Sequence, residues 1–145
     1  MEFRTLTAKQ LAEKLNGREY GKEITAEEEQ EAENNGLIVM FGYSDDNVEI
    51  CGAINDEVGA YEGIDIYLMN YGVLKCPDCE AEAYDCPYYK RESEKAKKVT
   101  AVWCKEGYDF AWMFETDIPH ETFDIFEDGE PFCRGIVFDI EYLMP

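Results

Sequence analysis

Three cysteines in the middle of the chain have the spacing of metal ligands. The run Cys76-Pro77-Asp78-Cys79 separates two thiols by two residues, and Cys86-Pro87 follows. Two thiolates at this spacing can chelate one tetrahedral zinc ion from a tight turn, which proline stiffens. A fourth ligand must come from a distance, and Cys104, Cys133 and His120 are the candidates. We predict a structural zinc site, with Cys76, Cys79, Cys86 and Cys104 as its ligands.

Redox chemistry at the same cysteines is the weaker interpretation. Reactive dithiols need a positive environment that lowers the pKa of the thiol. Here Asp78, Glu80 and Glu82 surround the pair and oppose thiolate formation. Zinc tolerates such neighbours because its own charge dominates the site. The other cysteines, Cys51, Cys104 and Cys133, also fit ordinary burial in a core.

His120 is the only histidine, and it lies in the predicted turn Asp117–Glu121. A catalytic Cys–His pair requires that the two side chains reach hydrogen-bonding distance. A single histidine beside a proline in a turn favours a structural role instead. No P-loop, nucleophile elbow or dinucleotide fingerprint occurs in the sequence. We therefore predict no catalytic residues.

Charge is distributed very unevenly along the chain. Residues Glu23–Leu74 contain thirteen carboxylates and no Lys or Arg, and residues 106–145 contain eleven carboxylates against Arg134. The formal net charge is -20, yet 46% of the residues are hydrophobic and 14% are aromatic. This composition excludes a disordered acidic tail. The charge disfavours nucleic acid and anionic membranes as partners and favours basic protein surfaces.

Two short helices are predicted first. Thr7 with Gln10, and Thr25 with Glu28, have capping-box spacing. Asn16-Gly17 ends the first helix, whose apolar face is Leu6, Leu11, Ala12 and Leu15. The second helix ends at Asn34-Asn35-Gly36, and its almost wholly polar face predicts a position on the surface.

Alternating hydrophobicity predicts strands through the rest of the chain, joined by short turns that include residues 44–47, 105–107 and 128–131. We predict strands over residues 37–43, 48–54, 64–71, 99–104, 108–115, 122–127 and 132–142, and a helix over 87–98. Tyr142 is expected to face inward with Ile136, Phe138 and Ile140. Short connections favour antiparallel pairing. The sequence thus predicts a single α+β domain over residues 1–145, with a twisted antiparallel sheet of six or seven strands.

Three segments carry a resemblance to a known group: LTAKQLAEKLNGREYGKEIT, NGLIVMFGYSDD and DIPHETFDIFEDGEPFCRGIVF. The chain resembles small acidic proteins of unknown function encoded by bacterial phages and prophages. No functional residues carry over from that group. The resemblance implies a small accessory protein of a mobile element, and proteins of this kind often inhibit host defence, anti-CRISPR proteins among them.

These observations predict a non-enzymatic binding protein in the cytoplasm, where it blocks a basic nucleic-acid-binding surface of a bacterial enzyme such as a nuclease. Exposed aromatics such as Tyr43 or Tyr61 would add short-range contacts. One alternative is a zinc-stabilised adaptor that binds a partner protein. Another is a small-ligand or nucleotide-binding protein that uses the aromatic face of the late strands. The predicted partner-binding residues are Glu27, Glu28, Glu29, Glu31, Glu33, Asp45, Asp46 and Glu49.

Overall fold

A computed structural model describes residues 5–42, 47–59, 61–78, 86–103 and 109–144. In this part of the chain the fold is α+β, with three α-helices and ten strands. The helices are α1 (Ala8–Leu15), α2 (Ala26–Asn34) and α3 (Pro87–Ser93), and a 3-10 helix covers Ile140–Leu143. The strands are β1 (Arg18–Glu19), β2 (Leu37–Gly42), β3 (Asn47–Gly52), β4 (Asp56–Gly59), β5 (Ile64–Met69), β6 (Gly72–Val73), β7 (Lys97–Trp103), β8 (Trp112–Thr116), β9 (Glu121–Glu127) and β10 (Glu130–Asp139).

The predicted capping boxes are present at the N-termini of α1 and α2. The Thr7 hydroxyl accepts a hydrogen bond from the Gln10 amide, and the Gln10 side chain accepts one from the Thr7 amide. Thr25 and Glu28 form the same reciprocal pair at the start of α2. Such pairs satisfy amide donors that the first helical turn leaves without partners. The short local spacing of these residues was therefore enough to predict both helix starts.

All strands belong to one mixed sheet. Its main order is β4-β3-β2-β10-β8-β7-β5-β6, with β9 on the other edge of β10 and β1 beside β9. The predicted antiparallel sheet of six or seven strands is wrong in both count and geometry, because β8 runs parallel to β10 and β1 runs parallel to β9. The extra strands β1, β4 and β6 have only two to four residues each. That is too short for an alternating pattern to be recognised.

Strand β10 is the centre of this arrangement. Along one edge it pairs with β9, and along the other it pairs first with β8 at Cys133 and then with β2 from Ile136 to Asp139. Strands β8 and β2 therefore meet end to end beside β10. The register shift between Pro131 and Cys133 accompanies this change of partner.

The hydrophobic core is continuous through the described residues. All six residues of β2 are buried, so both faces of this central strand are covered. Helix α2 packs against β2 and β3, and α1 packs against β9 and β10. The bulkiest fully buried side chains are Trp112, Phe123 and Phe138. The predicted apolar face of α1 is confirmed, since all of its members are buried: Leu6, Leu11, Ala12 and Leu15.

Several predicted boundaries are wrong, among them the start of β8, which begins at Trp112 and not at residue 108. Helix α3 ends at Ser93, and Lys97 and Lys98 begin β7 where the sequence predicted helix. Strand β10 ends at Asp139, and the 3-10 turn that follows leaves Tyr142 45% exposed instead of facing inward. The predicted turn before β10 is confirmed, with Asp128 at a φ of 52° and Gly129 at 81°. The predicted turns over residues 44–46 and 105–107 lie outside the described residues.

Candidate functional site

Helix α2 lies close to the end of strand β3. Gly52 has a φ of +90°, and a Cβ added there would lie 3.2 Å from the Cβ of Ala32. Ala32 is fully buried on the inner side of α2. Because Gly52 has no side chain, α2 can approach β3 closely, and this approach brings the acids of α2 near those of the sheet.

Three carboxylates from separate segments converge on this surface: Glu29 of α2, Glu49 of β3 and Glu57 of β4. Glu49 and Glu57 are directly opposite in the antiparallel pair. Burial raises the pKa of Glu49, and the negative charges of Glu57, Glu29 and Glu23 raise it further. We call Glu29, Glu49 and Glu57 the acidic face.

Two lysines form ion pairs with carboxylates that are sequence neighbours of the acidic face and not members of it. Lys14 lies 3.6 Å from Glu31, and Lys75 lies 3.4 Å from Asp56. Within the described part of the chain, no Lys or Arg forms an ion pair with a member of the acidic face. Its three negative charges therefore lie close together without an ion-pair partner among the described residues, although the Asn47 side-chain amide donates a 2.8 Å hydrogen bond to Glu57.

Glu28 does not share this surface, although the sequence placed it there. It is 9% exposed, and its two carboxylate oxygens accept hydrogen bonds from the Arg18 guanidinium. The Arg18 hydrogen bonds lower the pKa of Glu28 to about 2, and the Thr25 amide donor acts in the same direction. The predicted surface position of α2 is wrong at this residue, which pairs with Arg18 and so anchors α2 to β1.

The other predicted partner-binding residues divide into three groups. Glu27 and Glu33 are exposed, and Glu29, Glu31 and Glu49 are half-buried. Asp45 and Asp46 lie outside the described residues, as does Tyr43. Tyr61 is exposed, as expected of a contact residue.

Sequence reasoning missed Glu57 and Glu23. Glu57 lies on the four-residue strand β4, in which Val58 is the one buried residue, so no alternation marked it. Glu23 is 5% exposed, and its Oε2 has no hydrogen-bond partner among the described residues. Its negative charge contributes to the raised pKa of Glu49. A buried carboxylate oxygen in a loop leaves no signal in the sequence pattern.

Glu49→Gln stabilises the protein by about 0.5 kcal/mol at pH 7, because it removes a like charge opposite Glu57 while water screens much of the repulsion. A carboxyl whose pKa is raised by folding contributes stability below its unfolded pKa and loses it as pH rises through the folded value. The gain therefore shrinks as the pH is lowered and Glu49 takes up a proton. Thermal unfolding from pH 7 downward measures it. Equal gains from Glu62→Gln, in the exposed turn before β5, would contradict a local effect.

Two of the predicted zinc ligands lie in contact. The Sγ atoms of Cys76 and Cys86 are 3.3 Å apart, and neither residue forms a disulfide. Cys79 and Cys104 lie outside the described residues. Among the residues that are described, no group of three or more His, Cys, Asp or Glu side chains is arranged to hold a metal ion.

Cys51 and Cys133 are buried sheet residues, as the alternative interpretation predicted. Burial raises the pKa of both thiols, to about 12 for Cys133. The Gly42 amide donates a hydrogen bond of 3.0 Å to Cys133 Sγ. A thiol held in its neutral form at physiological pH is a poor nucleophile, so neither residue has the character of a catalytic cysteine.

His120 lies at a cleft of about 740 Å³. Its Nδ1 is 2.6 Å from the carbonyl oxygen of Ile118, and since a carbonyl only accepts, Nδ1 carries the proton. The cleft mixes cations and acids, among them Lys97, Lys98 and Asp117. The aromatic face that was predicted to bind a small ligand belongs instead to the core, because Phe110, Trp112 and Phe114 are all buried.

Comparison with known proteins gives no relative: the chain matches no protein-family model, no curated protein and no solved structure. Among the described residues, no helix combines the length and the apolar character that crossing a membrane requires.

Proposed function

We propose that this chain is a non-enzymatic binding protein whose acidic face occupies a basic nucleic-acid-binding surface on a bacterial defence enzyme. The observation that carries the proposal is the convergence of Glu29, Glu49 and Glu57 without a paired cation from the described part of the chain. Like charges held together reduce folding stability. A basic partner would relieve that repulsion, so the arrangement favours binding over solubility alone.

Nucleic-acid channels are the basic surfaces that suit this face best. Their Lys and Arg side chains are spaced to contact successive phosphates and bind them mainly through charge. A rigid array of carboxylates competes for the same cations. Glu33 is exposed one helical turn after Glu29 and extends the array along α2, whereas the exposed Glu27 lies on another side of the helix. Association would be fast and strongly dependent on salt, since charge steers the encounter.

A Cas nuclease is the specific target class that we propose. Two arguments support it: the charge, which disfavours direct contact with nucleic acid, and the resemblance to phage and prophage proteins, which implies a role against host defence. The resemblance is an argument by analogy. The charge argument also covers other basic nucleases of bacterial defence.

Displacement of fluorescent DNA from purified Cas nuclease–guide complexes at about 50 mM and 300 mM salt tests the proposal. We expect the protein to displace DNA at low salt and to lose this activity at high salt. The triple variant Glu29→Gln/Glu49→Gln/Glu57→Gln binds about ten- to hundredfold more weakly, because each lost contact with a cation contributes about 0.5–1 kcal/mol.

The matched control is Glu121→Gln/Glu127→Gln/Glu130→Gln, which removes the same charge from exposed positions on β9 and β10. It should retain most of the binding. If both triple variants lose binding equally, net charge and not the acidic face drives association. If the wild type displaces no DNA from any complex in a panel of Cas nucleases, that target class is wrong.

A further inference from the structure

Cys76 and Cys86 are ten residues apart in the chain, and their side chains lie in contact. Cys76 follows β6, and Cys86 immediately precedes α3. Their Sγ atoms are 3.3 Å apart, and Cys76 is 2% exposed. Strand β6 is itself held to β5, since the Leu74 amide donates a 2.8 Å hydrogen bond to the Tyr67 carbonyl. The sulfur contact therefore lies between the β5–β6 hairpin and the start of α3.

This pair differs from the other described cysteines. Cys51 and Cys133 lie in different strands of the sheet core, and Cys133 accepts a hydrogen bond from a backbone amide. Between Cys76 and Cys86 the contact is sulfur to sulfur, and thiols are weak hydrogen-bond donors and acceptors. Lys75, the adjacent cation, lies beside Asp56. A single metal ion could bind both sulfurs.

We propose that Cys76 and Cys86 are two ligands of a structural zinc site that fixes α3 to the β5–β6 hairpin. Zinc–sulfur bonds of about 2.3 Å in a tetrahedron put two sulfurs about 3.8 Å apart, so binding needs a change of about half an ångström. A disulfide at about 2.05 Å would need more than twice that movement. Each thiol releases its proton to solvent as its sulfur binds the metal.

The remaining coordination positions need two further donors. The sequence predicts Cys79 and Cys104 for them, and both lie outside the described residues. The structural support for the site is therefore the 3.3 Å contact between the sulfurs of Cys76 and Cys86. The proposal does not depend on the proposed inhibitory function, since a structural metal supports α3 whatever the acidic face binds.

A zinc site at Cys76 and Cys86 would stabilise the short helix α3. It has seven residues, and helices of that length are not stable alone in water. Its buried residue Tyr89 packs edge-on against Tyr67 of β5, with ring centroids 5.8 Å apart. A zinc ion at Cys86 would hold the start of the helix, while the contact between Tyr89 and Tyr67 holds its middle. Loss of the metal should then loosen α3 while the sheet core around Trp112 stays folded.

Metal binding by the full-length, reduced protein tests the proposal. We expect one zinc ion per chain after incubation with zinc and desalting, measured by elemental mass spectrometry. Cobalt in place of zinc should give the near-ultraviolet absorption of cobalt–thiolate bonds. Cys76→Ser and Cys86→Ser each weaken zinc binding at least tenfold, whereas the matched control Cys51→Ala retains it. Chelation of the zinc should speed amide exchange in α3 but leave β2 protected.

A wild-type measurement covers the case in which the serine variants fail to fold. Zinc should protect Cys76 and Cys86 from alkylation, as read by mass spectrometry of the digested protein. Alkylation of both residues at the same rate with and without zinc would overturn the proposal. So would a reduced protein that binds no zinc but forms a Cys76–Cys86 disulfide with oxidised glutathione, because the pair would then be a redox couple.

Discussion

Gly42→Ala destabilises the fold by about 2–3 kcal/mol. A Cβ at this position would lie 2.5 Å from both Cγ and Cδ1 of the Trp112 ring. Trp112 is fully buried and packs against the Trp103 ring at a centroid distance of 4.9 Å, so it has no space into which to move. Urea unfolding followed by tryptophan fluorescence should show a lower midpoint with an unchanged slope.

The matched control is Gly59→Ala at the exposed end of β4. A Cβ added there meets no atom within 4 Å, and the residue is not in the left-handed region. Its effect should stay within about 0.5 kcal/mol. Equal midpoints for the two variants would show that Trp112 can move aside and that the packing around it is loose.

Gly42 matters because of its place in the sheet. It ends β2, and Trp112 begins β8, so their contact fills the point where these two strands meet along β10. On one side of this point lie β3 and β4, with two members of the acidic face. On the other side lie β7, β5 and β6, with the cysteine pair. The Trp112 contact thus joins the halves of the protein that carry its two candidate sites.

Local chemistry in the sequence was sufficient to predict the features that depend on neighbouring residues. The Thr7 and Thr25 capping boxes and the Asp128-Gly129 turn all form as expected. Each involves groups no more than three residues apart. In contrast, the parallel contact between Cys133 and Trp112 depends on long-range packing, for which the sequence has no periodic signal.

In the candidate sites, too, the sequence predicted what depends on local spacing and missed what depends on long-range contacts. The spacing of Cys76 and Cys86 suggested that they share a site, and their sulfurs do lie in contact. The charge pattern identified Glu29 and Glu49 but not their neighbour Glu57, because the pairing of β3 with β4 creates that contact. It also included Glu28, since a row of acids on a helix cannot reveal which one meets a distant arginine. Arg18 precedes the cation-free stretch by five residues, so its role was invisible to a count of charges within the stretch.

Glu28→Gln destabilises the protein by about 2–3 kcal/mol at pH 7, because it breaks a largely buried ion pair and weakens the cap of α2. The Arg18 Nη2–Glu28 Oε2 distance is 2.7 Å, and the Thr25 amide donates to the same carboxylate at 3.0 Å. These contacts lower the pKa of Glu28 from 4.5 to about 2. A carboxylate with a lowered pKa contributes stability above its unfolded pKa and loses that contribution as pH falls through the folded value. Urea unfolding between pH 7 and pH 2 should therefore show a smaller acid-dependent loss for the variant than for the wild type.

Glu31→Gln provides the comparison on the same helix. Its ion pair with Lys14 has side chains that are more than 40% exposed, and exposed pairs contribute little. Its effect should be below about 0.5 kcal/mol, and equal losses for both variants would contradict an anchoring role for Glu28. The anchor also bears on binding, because Glu29 is the next residue on α2. If the acidic face acts as a rigid array, Glu28→Gln should weaken binding to a basic partner by loosening the helix, whereas Glu29→Gln should weaken it without a comparable loss of stability.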